Sequence, residues 1–176
     1  AGRLGLPMHQ GTFRTLIERM ARRLDSVLIV RVGKGGAWLA RPGAEAELVA
    51  DYLARFDRAG RPFGLGPSRV VEVEDRKGAG SAAEAALLAA ALPKGAVLAA
   101  LDERGQAMGS PDFAAMLRRL ADAGTRDLAL AIGGADGFGS EFRDRADYLV
   151  SLGRMVWPHM LVRVMLAEQL YRAATI

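Results

Sequence analysis

Five short apolar runs set the narrowest limit on how this chain can fold. They are Val27–Val32, Arg69–Val73, Val97–Leu101, Leu128–Ile132 and Tyr148–Leu152. Several lack the in-out alternation of a half-exposed strand, as expected of strands covered on both faces. Helical patterns separate them. Pro42 suits a first helical turn ahead of Ala44–Phe56, and Ser81-Ala-Ala-Glu84 reads as a capping box for a helix ending before Pro93. Ser110-Pro111 opens a helix over Asp112–Ala123, and Ser140 can cap Glu141–Ala146. Strands alternating with helices predict an α/β fold, a single domain with a parallel sheet flanked by helices. In such sheets ligands bind beyond the carboxyl ends of the strands. Four loops are candidates: Gly33–Gly36, Leu101–Gly109, Gly133–Gly139 and Leu152–Trp157.

Composition removes several chemistries. With 176 residues, 51% of them hydrophobic and 25% charged, the chain can bury a sizeable core. It has no cysteine, which excludes disulfides, thiolate metal sites and a cysteine nucleophile and fits a cytosolic protein. Its two histidines, His9 and His159, are too few and too far apart for a histidine-rich metal site, so no metal is expected. The longest apolar stretch, Ala82–Leu92, contains Glu84 and stops at Pro93, so no membrane span is expected. Of the net charge of +4, residues 1–26 carry +3, from five arginines against Glu18 and Asp25. The remainder is nearly neutral, and net charge alone does not argue for nucleic acid.

Residues 1–19 are expected to be an N-terminal extension ahead of a domain spanning 20–176, because MARRLDSVLIVRVG from Met20 reads as a natural start. The alternative is an extra helix over Thr12–Leu24. The helix pattern Leu161–Ile176 stops without a cap, and the natural protein is expected to continue beyond it.

The glycine motifs differ in weight. Gly33-Lys34-Gly35-Gly36 follows a strand, but a dinucleotide fingerprint would need glycine where Trp38 stands. Neither Lys34 nor Lys77 completes a phosphate-binding P-loop. Gly133-Gly134-Ala135-Asp136-Gly137 puts three glycines in five residues after a strand, as either a tight turn or a close backbone approach to a ligand. Trp157-Pro158-His159 then leads into a helix whose Leu161, Val164, Met165, Leu166 and Leu170 recur at helical spacing. That stripe reads as core or an oligomer face. Trp157 reads as core or cofactor wall. His159 can orient a substrate, move a proton or make a structural hydrogen bond. Arg163 and Arg172 could meet phosphate or stay solvated, and Glu168 is placed to pair with Arg172.

Taken together, VLIVRVGKGGAW, IGGADGFG and SLGRMVWPHMLVRVMLAEQLYRA resemble the ribosomal RNA large subunit methyltransferase H family, a small branch of the SPOUT methyltransferases. The pattern P-H-x-x-x-R-V-x-x-x-E-Q-x-Y-R-A from Pro158 to Ala173 is long and specific, and the likeness runs from about Met20 to Ile176. The resemblance implies a C-terminal trefoil knot, which ordinary chain-connection rules would not predict. It implies S-adenosyl-L-methionine as cofactor, bound by Leu101, Gly133, Gly134, Leu152, Gly153, Arg154, Met155, Val156 and Trp157, largely through backbone. It implies N3 methylation of a pseudouridine in 23S rRNA of the assembled ribosome, by a cytoplasmic homodimer in which one subunit holds cofactor and the other helps dock RNA. His159 is then the candidate for substrate positioning or for the base, with Asp136, Glu168 or water as alternatives. Arg154, Arg163 and Arg172 are the RNA-facing candidates. Family members carry a further short tail past the last helix, rich in histidine, tyrosine and arginine. Two readings compete with the enzyme: a non-catalytic protein of the same fold that binds RNA or ribosomes, and a nucleotide-dependent enzyme built on Gly33–Gly36.

Overall fold

The computed structural model describes residues 26–33, 44–74, 80–134 and 137–176. The readings made for Thr12–Leu24, Lys34–Gly36, Pro42 and Asp136, and the boundary at residues 19 and 20, lie outside them. Strands β1 (Ser26–Gly33), β2 (Ser68–Glu74), β3 (Val97–Ala107), β4 (Asp127–Ile132) and β5 (Tyr148–Ser151) form one sheet in the order β2-β1-β4-β3-β5. Every pairing is parallel. The helices are α1 (Ala44–Gly60), α2 (Ser81–Ala91), α3 (Ser110–Asp122), α4 (Ser140–Asp144) and α5 (His159–Thr175), with a short 3-10 turn over Arg61–Phe63.

Strand β4 shows why the apolar runs do not alternate. Its sequence DLALAI sends Leu128, Leu130 and Ile132 to one face, where they meet Phe56 of α1, Met116 and Leu117 of α3 and Leu166 and Leu170 of α5. Ala129 and Ala131 face the other way, toward Leu88 of α2 and the stacked rings of Phe138 and Phe142. The alternation is therefore of size rather than polarity, large toward three helices and small toward two. Burying a side chain as large as leucine is worth about 1.5–3 kcal/mol, so these paired layers hold the sheet between its helices. Helices α1 and α5 are further joined through Tyr52 and Tyr171, 6.2 Å between ring centroids, with the Arg55 guanidinium over both rings.

Three helix starts differ from the sequence expectation by one residue. Gly80, Gly109 and Gly139 occupy the N-cap positions where Ser81, Ser110 and Ser140 were expected. Each pair is Gly-Ser; Gly109 and Gly139 carry the extended backbone of an N-cap, and Gly80 stands at φ +90°, a conformation that favours glycine. At α3 the carboxylate of Asp112 turns back to accept the Gly109 N–H at 3.3 Å. Helix α2 does stop as expected: Leu92 is extended (ψ 136°) because Pro93 disfavours helical geometry in the residue before it.

The larger difference is in β3. The expected strand ended at Leu101 and gave way to a loop. The observed strand runs to Ala107 and meets β5 twice, since Val150 is the register partner of both Leu101 and Gln106. Asp102–Gly105 lie between those pairings. The return toward β5 requires glycine at 105, where a Cβ would stand 2.6 Å from the Leu149 carbonyl carbon. Asp147, just ahead of β5, accepts the Leu98 N–H at 2.8 Å and ties the start of β5 to β3.

Candidate functional site

Parallel strands end together, so the irregular stretch of β3 past Leu101 and the loops after β4 and β5 converge on a cavity of about 280 Å³. Its apolar walls include Leu101, Ile132, Phe138, Leu152, Val156, Trp157 and Val162. Gly133, Gly134, Gly137 and Gly153 supply bare backbone. Polar groups come from Asp102, Glu103, Arg104, Arg143 and Ser151.

The glycine turn is built for close approach. Gly134 and Gly137 form an antiparallel bridge, with the Gly137 N–H donating to the Gly134 carbonyl at 3.1 Å. A Cβ on Gly133 would stand 3.1 Å from the Gly137 carbonyl carbon, so a side chain there presses on the backbone that closes the turn. The opposite loop is fastened by Ser151. Its hydroxyl donates to the Gly153 carbonyl at 2.9 Å and accepts the Gly153 N–H at 3.2 Å, with Gly153 at φ +118°. The loop thus leaves β5 in a fixed direction and returns through Trp157 and Pro158 to α5. The Trp157 indole Nε1 is buried and has no hydrogen-bond partner among the described residues, an unmet donor in the cavity lining.

Of the nine residues assigned to a cofactor from sequence, eight line this cavity: Leu101, Gly133, Gly134, Leu152, Gly153, Met155, Val156 and Trp157. Arg154 lies in the same loop with its side chain exposed and is not in the lining. His159 opens α5 directly after the loop. Arg172 is exposed and hydrogen-bonds the Glu168 carboxylate, 2.9 Å from Nε. That bond, with the charge of Glu168, raises its guanidinium above the ordinary arginine value. Arg163 departs from its expected outward position. Its side chain is 9% exposed, and Nη1 donates to Glu72 of β2 at 3.1 Å. It fastens α5 to the sheet edge, so an RNA-facing place for Arg163 is corrected.

Sequence reasoning did not single out Asp102, Phe138, Arg143 or Val162. The available signal was position. Asp102 directly follows Leu101 in the candidate ligand loop Leu101–Gly109, where nothing in the run DERG sets one side chain apart from the others. Among the described residues no group of three or more acidic or histidine side chains could hold a metal ion. No helix there is long and apolar enough to cross a membrane.

Comparison with known proteins adds kinship. A family model described as "Predicted SPOUT methyltransferase" matches residues 26–176. A Ruegeria pomeroyi protein named Ribosomal RNA large subunit methyltransferase H is 62% identical over 85% of this chain and 93% of its own length. Its namesake from Cereibacter sphaeroides is 67% identical over 77% of this chain and 87% of its own. The one from Roseobacter denitrificans is 60% identical over 84% and 92%. Among solved structures, the SpoU methyltransferase AviRb from Streptomyces viridochromogenes in complex with the cofactor AdoMet gives a TM-score of 0.39 at 16% identity. That likeness covers 85% of this chain and 61% of AviRb and is too distant to bear on chemistry.

The placement of the arginines has a measurable consequence. Arg163→Ala is expected to lower unfolding free energy by about 1–3 kcal/mol, as for loss of a charge-assisted hydrogen bond in a part-buried setting. Arg154→Ala should stay within about 0.5 kcal/mol of wild type. Urea unfolding of both variants checks this, and equal stabilities would contradict the buried role of Arg163.

Proposed function

The chain belongs to the SPOUT methyltransferase family, and from that premise we propose that it is an S-adenosyl-L-methionine-dependent rRNA methyltransferase acting on N3 of a pseudouridine in 23S rRNA of the assembled ribosome. One observation carries the reading. Eight residues that the family resemblance assigns to the methyl donor line a single cavity at the carboxyl ends of three parallel strands, in a chain 60–67% identical to relatives named Ribosomal RNA large subunit methyltransferase H. A non-catalytic RNA-binding role is not favoured by anything in the cavity.

The residues present fit such a donor. Trp157 Nε1 is a buried donor with no partner among the described residues. Bare backbone at Gly133 and Gly134 lets a planar ring approach, and Leu101, Ile132 and Leu152 give it apolar contact. The donor, when bound, supplies a methyl carbon already made electrophilic by the positive charge on sulfur. The chain's own work is then placement. The Ser151-fastened loop and the glycine turn hold the reacting carbon in line with N3, and apolar walls exclude water from it. Transfer would form the carbon–nitrogen bond, break the carbon–sulfur bond to leave a neutral thioether, and pass the N3 proton, that of a weak acid, to His159 or to water. His159 is proposed to position the target base. Exposed Arg154 sits beside 69%-exposed Met155 and 84%-exposed Val156, which form the outer rim of the cavity. Arg154 and Arg172 are proposed to meet rRNA phosphate.

The register break over Asp102–Gly105 and the close backbone approach of Gly105 to Leu149 support a trefoil knot, which requires chain packed tightly against chain at a crossing. A second cavity of about 480 Å³ runs along α5 past Val164, Met165 and Glu168 and reaches Leu101 and Leu152 on the far side of the same walls. With Leu161 exposed beside it, this face supports a homodimer in which α5 brings a second copy to the edge of the donor site. The protein would work in the cytoplasm, where ribosomes are.

Tritiated S-adenosyl-L-methionine should label ribosomes that lack the modification and leave free 23S rRNA nearly unlabelled. His159→Ala should lower kcat about tenfold or more without weakening donor binding. Label on neither substrate would overturn the proposal. Light scattering at micromolar concentration should give the mass of a dimer, and a monomer would remove that part of it.

A further inference from the structure

The cavity contains one pair of opposite charges that neither the fold nor the methyl transfer described above uses. Asp102 and Arg143 both line it. The Asp102 side chain is 6% exposed and the Arg143 side chain 21%. They stand 3.9 Å apart, Arg143 Nη1 to Asp102 Oδ2, beyond hydrogen-bonding distance. Each is held by a separate anchor. Asp102 Oδ1 accepts the Arg104 N–H at 2.9 Å, and Arg143 Nη1 donates to the Phe138 carbonyl. A neighbouring pair, Arg104 and Glu103, is mostly exposed and screened by water.

Burying two charges is costly, and a pair kept for stability would close to short, bidentate contact to offset that cost. Here the Asp102 side chain is nearly covered, the Arg143 side chain is part-buried, and the pair is left open. Its carboxylate and guanidinium are presented side by side in the cavity wall, where the other charged groups, Glu103 and Arg104, are mostly exposed. Groups arranged in this way complement a ligand with a cation and an anion equally close together. An α-amino acid is such a group, with ammonium and carboxylate on one carbon.

We propose that Asp102 and Arg143 form the subsite for the zwitterionic amino-acid end of the methyl donor, Asp102 receiving the ammonium and Arg143 the carboxylate. The inference rests on the donor reading of the cavity. It makes the two residues positioning residues. They fix the chain that carries the sulfur, while the glycine turn and the Trp157 loop hold the nucleoside.

Ligand truncation separates the two claims. Calorimetry is run with S-adenosylhomocysteine, which keeps the amino acid, and with 5′-methylthioadenosine, which lacks it. Wild type should bind the first at least tenfold more tightly. Asp102→Asn, close to isosteric, should weaken S-adenosylhomocysteine about tenfold or more, as expected for a lost charge-assisted contact, and 5′-methylthioadenosine less than twofold. Arg143→Gln should do the same, and melting curves without ligand establish that both variants are folded. Equal weakening of the two ligands, or no weakening of either, would overturn the subsite. So would a wild type that binds both ligands alike, although the donor cavity would then stand. A wild type that binds neither overturns the donor reading and this inference together.

Discussion

Backbone pressed on backbone where β3 returns to β5 is the contact from which the site follows. With no side chain at Gly105, the chain closes to within contact of Leu149 and Val150. The four residues Asp102–Gly105 are thereby held as a wall at the carboxyl ends of the strands instead of trailing as a surface loop. That wall carries Asp102, Glu103 and Arg104 into the same cavity as the glycine turn after β4 and the loop after β5. Without the close return, Leu101 would still end a strand, but nothing would face the turn.

The site divides its work between backbone and side chains. The turn at Gly133–Gly137 and the loop clipped by Ser151 are held by hydrogen bonds within themselves, so their geometry exists before any ligand arrives. Preformed walls lower the ordering cost of binding. A backbone-built cavity also tolerates sequence change in its loop, since most contacts do not depend on which side chain is present. Side-chain chemistry is concentrated in a few groups: the buried Ser151 hydroxyl, the covered Trp157 Nε1 and the part-buried Asp102–Arg143 pair.

Much of this was legible in the chain, and the reasons are local. A doubly buried strand announces itself by composition, and β4 does so in six residues. Pro93 stops α2 by a steric rule that acts on its immediate neighbour. Of the nine residues that the family resemblance assigns to a donor, eight line one cavity, and seven of those come from two short stretches, Gly133–Gly134 and Leu152–Trp157. What stayed hidden depends on distant partners. Arg163 looks like a solvated arginine until Glu72, 91 residues earlier, is brought beneath it. Asp102 and Arg143 sit in charged stretches of the kind usually found on surfaces, and only the packing of α4 against the end of β3 makes them a pair. The extension of β3 past Leu101 was missed because DERG has none of the apolar character of a strand. Its pairing is imposed by β5 rather than by propensity.

The central claim is that main-chain groups from two segments, the turn after β4 and the loop between β5 and α5, enclose the methyl donor. Hydrogen exchange read residue by residue, with and without S-adenosylhomocysteine, tests it most directly. Added ligand should slow exchange of amides in 133–137 and 152–157 by about tenfold or more while leaving α2 and β2 unchanged. Protection spread evenly over the molecule, or confined to the segments flanking β1 and β2, would contradict it.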